Sequence, residues 1–358
     1  MKPAPWQSLI VCASLAAPTA YASAPYELEI VPLKADVYLI RRPEALRQPV
    51  EGNVTVIVNE QDVVVVDGGG LPIAAENAIK LIRSVTDKPV SVLVNTHWHG
   101  DHNLGNQVYR ARFPGIRIVS HENTRRSMLG KAMGDVSKYG EQLDSFIEQL
   151  EALKANNDWN ERREALLADM HTVRGYYATP IVLTPPDVTF TDRLVLHRGA
   201  REIEIRWLGK GNTDGDAVVW LPREKIVAAG DLVVHPIPYG FGSYPREWIA
   251  TLEALGKLPY EILVPGHGEV QRDRAYLQRL SVMLANIREQ AAAAVAEGQD
   301  LEALRKSLDT SAFEKQFTLD EPMRKNLFKA WWLEPITRSA WFEASGKPIL
   351  QDDVNTSG

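Results

Sequence analysis

The chain has 358 residues, 45% of them hydrophobic and 24% charged, with a formal net charge of −6. This length and composition support one large domain, or one domain with a helical appendage. Because the charge is acidic and the basic residues are scattered, we expect a small-molecule substrate and no nucleic-acid partner.

Residues 1–22 read as a signal peptide. Lys2 supplies a short positive region, an apolar stretch follows, and we expect cleavage after Ala22. This predicts a periplasmic or secreted protein, with no integral membrane segment after cleavage because no later apolar run is long enough. Cleavage would remove Cys12, the only cysteine, so a thiolate ligand or a cysteine nucleophile is not expected.

Residues 23–275 alternate strand and helix patterns. Val54–Val58 and Val63–Val66 predict a hairpin, Ile73–Val85 an amphipathic helix, and Pro89–Val94 a further strand. Strand, helix and strand with polar residues at a strand end are typical of a layered α/β sheet. Four later apolar segments favour strands or a helix: Val218–Leu221, Ile226–Ala229, Trp248–Leu258 and Ile262–Val264.

A helical insertion is predicted within this domain, over residues 122–178. Apolar residues recur there at helical spacing in two runs, separated by Asn156–Asp158, which indicates a helical hairpin. Strands are expected to resume between Val182 and Trp207.

Residues 276–358 are predicted to form a C-terminal helical extension packed on the domain. Five aromatic side chains are dense there: Phe328, Trp331, Trp332, Trp341 and Phe342. Packing against the domain, a homodimer interface formed by these helices, and a lid over the site are the three interpretations of this cluster.

The most informative segment is Asn95–His102, which directly follows the predicted strand. His97, His99, Asp101 and His102 lie within six residues, in the spacing His-x-His-x-Asp-His. Imidazole nitrogen and carboxylate oxygen at this density fit one or two borderline-soft divalent ions, zinc above all. Asp231 and His267 are further metal-type residues, each just past a short predicted strand and beside glycine.

Together these pieces resemble the metallo-β-lactamase superfamily. The matching segments are Val64–Gly68, Thr96–His102, Gly211–Asp216, Gly230–Asp231 and Pro265–Gly268. The resemblance covers about Val54 to Gly268 and leaves out the helical insertion and the C-terminal extension. It implies an α/β (α+β) fold, a four-layer αββα sandwich with the metal site on one edge between the sheets.

The resemblance also implies roles for individual residues. Asp101, His102 and His267 would hold one zinc ion, and His97 and His99 the other. Asp231 would bridge the two ions, and Asp67 would support a ligand.

The sequence departs from the family pattern at Asn212. The family usually has a histidine in this frame, which here reads Gly211–Thr213, and an amide oxygen is a weaker zinc ligand than imidazole. Three interpretations stay open: Asn212 coordinates weakly through its oxygen, it holds a coordinating water, or the metal site of His97 and His99 is partly empty.

The loop after Asp231 is a candidate wall of the substrate pocket. It contains His235, Tyr239 and Phe241 among prolines and glycines, a composition that an ordinary surface turn shares. His235 is also weighed as a metal ligand, and the role of a loop residue is preferred.

These features predict an exported zinc hydrolase of the β-lactamase-like class. Zinc would lower the pKa of bound water from ~16 to ~7, and the hydroxide would attack an amide or ester such as a β-lactam, lactone or thioester. Asp101 is the candidate catalytic residue, which would orient the nucleophile and pass its proton onward. The alternative is a non-catalytic metal- or ligand-binding protein derived from the same fold.

Overall fold

The structure is a computed structural model that describes residues 24–130, 132–155 and 159–349. The predicted signal peptide, residues 1–22, lies outside the described residues. Within the described part of the chain, no helix combines the length and the apolar character that a membrane crossing needs.

The first sheet has seven strands in the order in which they follow one another along the chain. They are β1 (Glu29–Lys34), β2 (Val37–Arg41), β3 (Val54–Val58), β4 (Val63–Val66), β5 (Val90–Val94), β6 (Arg117–His121) and β7 (Val188–Phe190). Neighbours from β1 to β4 pair antiparallel, and those from β4 to β7 pair parallel.

The second sheet has five strands in the spatial order β12-β11-β10-β9-β8. Their bounds are β8 (Arg193–Arg198), β9 (Arg201–Trp207), β10 (Ala217–Leu221), β11 (Ile226–Ala228) and β12 (Ile262–Val264). Only the β11–β12 pair is parallel among the described strand pairs of this sheet.

Twelve α-helices connect and cover these sheets in the described part of the chain. The first seven are α1 (Pro72–Val85), α2 (Gly100–Asn103), α3 (Asn106–Arg112), α4 (Glu122–Leu129), α5 (Tyr139–Ala155), α6 (Glu161–Tyr176) and α7 (Pro245–Gly256). The C-terminal ones are α8 (Ala275–Ala296), α9 (Leu301–Ser307), α10 (Ser311–Thr318), α11 (Pro322–Leu327) and α12 (Glu334–Ala344), with a π-helix at Phe328–Leu333 between the last two.

Three hydrophobic clusters define four layers. One cluster fills the space between the two sheets, with side chains such as Val64 and Val219. A second joins the outer face of the first sheet to α1 and α3, and a third joins the outer face of the second sheet to α7, α8 and the helices that follow. Because both faces of β4 and β5 are covered, β4 is a run of four buried valines and β5 is buried and apolar at every position except Ser91. The predicted αββα sandwich is therefore confirmed.

The predicted hairpin and helices are present at nearly the predicted positions. β3 pairs antiparallel with β4, α1 begins one residue before the predicted helix, and α5 and α6 form the helical hairpin. In the described residues the C-terminal extension consists of five α-helices and the π-helix. Leu319 ends α10 in a left-handed conformation (φ 53°), and Pro322 begins the next helix.

The helical hairpin packs on the segment that carries the histidines. Trp98 and Leu104 lie in one cluster with Leu143, Phe146 and other apolar side chains of the hairpin. Its packing therefore supports the segment between His97 and Leu104 from one side.

Candidate metal centre

The candidate site lies where several strands end at one edge of the sandwich. Asp67 follows β4, and Asn95–His102 follows β5, which pairs with β4 in parallel. Asp231 lies in a short 3-10 helix after β11, and His267 follows β12, the parallel partner of β11. The carboxyl ends of parallel strands meet at the same edge of a sheet, which brings residues distant in sequence together.

Asp101, His102 and His267 form the first group of facing side chains. His102 Nε2 lies 3.1 Å from His267 Nε2, and His267 Nε2 lies 3.0 Å from Asp101 Oδ2. Ligand nitrogens of a tetrahedral zinc ion, each ~2.1 Å from the metal, are separated by a little over ~3 Å. The spacing of these atoms therefore matches a shared metal position.

His97 and Asp231 form a second set of facing atoms with His102, and His99 lies beside this set without belonging to it. His97 Nε2 is 3.4 Å and His99 Nδ1 is 3.8 Å from Asp231 Oδ2. The other carboxylate oxygen of Asp231 faces the first group, 3.3 Å from His102 Nε2 and 3.6 Å from His267 Nε2. One carboxylate thus lies between the two groups of histidines, as a bridging ligand would.

Hydrogen bonds fix which ring nitrogens face the centre. Asp67 Oδ2 lies 3.0 Å from His102 Nδ1 and accepts a further hydrogen bond from Thr96 Oγ1 at 2.9 Å. Since a carboxylate accepts the Nδ1 proton, Nδ1 of His102 is occupied by Asp67 and Nε2 is the nitrogen that faces the centre. Thr96 Oγ1 also lies 2.9 Å from His97 Nδ1, and because its proton goes to Asp67 it accepts from that ring.

Two glycines allow the backbones to approach the bridging carboxylate. A Cβ atom on Gly266 would lie 1.9 Å from Asp231 Oδ1, and Gly230 has a positive φ of 52° with no room for a Cβ atom beside Thr96. Only glycine fits at these two positions without moving Asp231 or Thr96.

Electrostatics in the centre are strongly coupled. Burial lowers the pKa of His97 to about 4. Burial alone would also lower the pKa of His102, but the carboxylates of Asp231, Asp101 and Asp67 raise it above its ordinary value. Burial would raise the pKa of Asp101, but His102 and His267 hold it below its usual range, so this carboxyl group is ionised.

The donor set fits a divalent cation. His97 Nε2 and Asp231 Oδ1 are buried and have no hydrogen-bond partner among the described residues. Buried polar atoms without partners are costly, and imidazole nitrogens with carboxylate oxygens are the donors that zinc prefers.

Asn212 is fully buried and its amide orientation is fixed. Nδ2 donates a hydrogen bond of 2.8 Å to the carbonyl oxygen of Tyr239, whereas Oδ1 has no partner among the described residues. A carbonyl oxygen can only accept a hydrogen bond, so the NH2 group faces Tyr239 and the oxygen stays open as an acceptor.

The three loop residues occupy different surroundings. The Tyr239 ring lies 5.0 Å from the His267 ring, between centroids, and Phe241 lies 6.3 Å from Tyr239. The imidazole of His235 lies 5.1 Å from the Tyr276 ring of α8, and it belongs to neither group of facing metal-type atoms. The structure therefore places Tyr239 beside the centre and His235 against the C-terminal helices.

Sequence reasoning did not identify Glu51. Its Oε1 accepts a hydrogen bond of 2.8 Å from the Gly70 backbone, and its Oε2 has no partner among the described residues. Burial raises the pKa of this carboxyl group to about 8. The irregular segment between β2 and β3 that carries Glu51 has no motif or periodicity that would have pointed to it.

Known proteins share parts of this sequence. The chain is 37% identical to a metallo-beta-lactamase type 2 of Bacillus cereus over 78 residues, which are 20% of this chain and 30% of that protein. It is 23% identical to a linear primary-alkylsulfatase of Pseudomonas sp. over 229 residues, 58% of this chain and 40% of that one. The chain spans about a third of the length of the curated lactamases it matches, which are covered over 30% and 35%.

A solved structure shares the fold over most of the chain. A stereoselective inverting sec-alkylsulfatase from Pseudomonas sp. superposes with a TM-score of 0.61 at 14% identity, covering 88% of this chain and 50% of that one. The family model described as Metallo-beta-lactamase superfamily matches residues 47–267, which include every candidate ligand named above. The chain belongs to the metallo-β-lactamase superfamily.

Proposed function

We propose that the protein is an exported zinc-dependent hydrolase that holds one or two zinc ions at this centre. The observation that carries the proposal is the convergence of His102 Nε2 and His267 Nε2, at 3.1 Å, beside the Asp101 and Asp231 carboxylates. Two ring nitrogens at this distance, flanked by ionised oxygens, are the arrangement expected of metal ligands.

The proposed ligands divide into two sets. His102, His267 and Asp101 would hold one ion, while His97 and His99 would hold the other, with Asp231 between them. When bound, zinc supplies a Lewis acid and lowers the pKa of water toward neutrality. Asp67 holds the Nδ1 proton of His102 and so keeps Nε2 directed at the centre.

Asp101 is the proposed catalytic residue. Its side chain is 23% exposed, whereas those of His97, His102, Asp231 and His267 are at most 1% exposed. An ionised carboxylate at the open side of the centre can accept a hydrogen bond from an attacking water, orient it and take its proton. His99 is the other partly exposed side chain of the proposed ligands, at 13%.

The proposed substrates are amides or esters of the β-lactam, lactone or thioester class. The likeness to metallo-beta-lactamases supports this class, although the proposed site of His97 and His99 has Asn212 where the family usually has histidine. Tyr239 and Phe241 provide an aromatic wall against which an apolar part of a substrate would pack.

A sulfate ester is the second candidate substrate class. The alignment with the alkylsulfatase covers 58% of this chain, against 20% for the Bacillus cereus lactamase. In both cases the residues of the centre would orient water toward an electrophilic carbon or sulfur, so the same ligands serve both proposals.

A non-catalytic binding protein remains the alternative from another class. Such a protein has no need of an ionised carboxylate on the open side of the centre or of a second one between the two groups of histidines. The placement of Asp101 and Asp231 therefore favours the hydrolase.

Turnover on a substrate panel tests the proposal. The purified protein is assayed with nitrocefin, lactones, thioesters and alkyl sulfates, with and without a chelator and after zinc is returned. Zinc-restored turnover on at least one class, abolished in Asp101→Asn, is the expected result. A protein that binds zinc stoichiometrically but hydrolyses no panel member would support the binding protein.

A further inference from the structure

The C-terminal extension makes direct contact with the loop at residues 236–243, which borders the centre. The extension itself lies outside residues 47–267, which the family model matches. The ring of Trp331, in the π-helix, lies 5.2 Å from the Tyr239 ring at 90°, an edge-to-face arrangement. The carbonyl oxygen of Trp331 accepts a hydrogen bond of 2.8 Å from the Gly240 backbone. π-helical turns are rare in proteins, and those that do occur are often found at functional sites.

The backbone at Gly240 is packed closely against the π-helix and α12, so the loop cannot move toward them. A Cβ atom on Gly240 would lie 3.0 Å from both the Trp332 carbonyl oxygen and Ile336 Cβ. Trp331 is only 5% exposed and Trp332 is fully buried, so the helix is itself held by the core under the second sheet. The position of the loop is therefore set by the C-terminal extension.

The loop in turn holds the segment that carries Asn212. The Tyr239 carbonyl oxygen accepts the Asn212 Nδ2 proton at 2.8 Å, and the Tyr244 backbone donates to the Gly211 carbonyl oxygen at 2.9 Å. Tyr239 within the loop and Tyr244 directly after it thus bind neighbouring residues of the Gly211–Thr213 turn. The first of these bonds leaves Asn212 Oδ1 as the open acceptor.

We propose that Trp331 is a positioning residue for the metal centre. By packing on Tyr239 and binding Gly240, it holds the Tyr239 carbonyl oxygen where it orients the Asn212 amide with Oδ1 available to a metal ion or its water. This inference rests on the proposed function, because it requires a metal ion at the centre. It assigns to the C-terminal extension a part in metal binding that goes beyond covering the core.

Zinc affinity, measured by competition with a chromophoric chelator, tests this proposal without an activity assay. Trp331→Ala removes the ring that packs on Tyr239, and Trp331→Phe keeps a ring there. Trp341→Ala is the matched control, because Trp341 belongs to the same extension but contacts Phe342, Lys347 and the Gln299 carbonyl oxygen. Thermal unfolding of the chelator-treated proteins reports how much stability each variant loses.

We expect Trp331→Ala to weaken zinc binding by about 3–10-fold, with Trp331→Phe and Trp341→Ala within about twofold of the wild type. In an Asn212→Ala background, Trp331→Ala should have little further effect, because the coupling runs through Asn212. Equal zinc affinity in Trp331→Ala and Trp341→Ala, or an undiminished effect in the Asn212→Ala background, would overturn the proposal.

A second variant covers the case in which Trp331→Ala does not fold. Tyr239→Leu removes the same contact from the loop side and should give a similar loss of zinc affinity, whereas an unchanged affinity would contradict the proposal. If the wild-type protein itself binds no zinc, the proposed function fails, and this result is distinct from the failure of the role of Trp331.

Discussion

Asp67 Oδ2 lies 3.0 Å from His102 Nδ1, and the same carboxylate binds Thr96 through its backbone and its hydroxyl group at 2.8 and 2.9 Å. A single side chain at the end of β4 thus holds both a candidate ligand and the start of the histidine-rich segment. Asp67 itself has a positive φ of 65°, an uncommon conformation for a residue other than glycine.

Replacing Asp67 should weaken metal binding more than it affects folding of the sheet. Removal of a carboxylate that orients a ligating histidine typically reduces metal affinity by about 10–100-fold, which we expect for Asp67→Ala. Asp62→Ala is the control, because Asp62 lies at the other end of β4, away from the centre, and binds Ser91 and Arg198. Chelator competition with zinc should separate the two variants. Equal losses in both would mean that Asp67 contributes only to stability.

Asn212→His should increase retention of zinc. Imidazole is a stronger zinc ligand than an amide oxygen, and we expect a gain on the order of tenfold, about 1.4 kcal/mol of binding free energy. The comparison uses a chelator titration, with Asn212→Gln as the control that keeps an amide group. Unchanged retention in Asn212→His would show that residue 212 does not face a metal ion.

Asp216 should make the metal-free protein less stable as the pH rises. This buried carboxyl group accepts hydrogen bonds from the Thr213 backbone and hydroxyl group, and burial raises its pKa to about 8. The ordinary pKa in the unfolded chain is ~3.9, so the folded state binds the proton more tightly, and the stabilisation present below pH ~4 is lost as the pH rises toward 8.

Asparagine cannot ionise, so Asp216→Asn should reduce the loss of stability with rising pH. We expect the difference in unfolding free energy between the two proteins to change by up to about 1.4 kcal/mol per pH unit between pH 5 and 8. Urea unfolding in the presence of EDTA measures it. Parallel pH profiles for wild type and Asp216→Asn would refute the prediction.

Removing one partner of the buried pair Arg47–Asp169 should strongly destabilise the domain. Two hydrogen bonds of 2.7 Å join these side chains, which are 3% and 12% exposed, and they connect the segment before β3 to α6 of the insertion. Breaking a buried pair from one side costs about 3 kcal/mol, so Asp169→Ala should lower the melting temperature by several degrees. Asp144→Ala breaks an exposed pair with Arg174 in the same hairpin and should cost much less. Similar losses in both variants would contradict this prediction.

Local patterns in the sequence predicted much of the fold. The valine runs of β3, β4 and β5 and the helical spacing in α5 and α6 are direct consequences of which faces are buried, so periodicity identified them. The π-helix at Phe328–Leu333 was not predicted, and it contacts the loop at Gly240, a segment far from it in sequence. Helical spacing carries no information on such contacts.

The candidate site was predictable for a different reason. His97, His99, Asp101 and His102 are informative by their density alone, whereas Asp231 and His267 were assigned through resemblance to a family. Glu51 was not identified, and Trp331 was named only within an aromatic cluster for which a lid over the site was one of three interpretations, because each comes close only through the arrangement of segments far apart in sequence. The ligand roles themselves stay a prediction.

Anomalous diffraction at the zinc absorption edge, from crystals of the zinc-loaded protein, tests the central claim most directly. We predict a peak about 2.1 Å from both His102 Nε2 and His267 Nε2, with a second, weaker peak near His97, His99 and Asp231. Zinc bound only at other places on the protein, with no anomalous density between His102 and His267, would contradict the account.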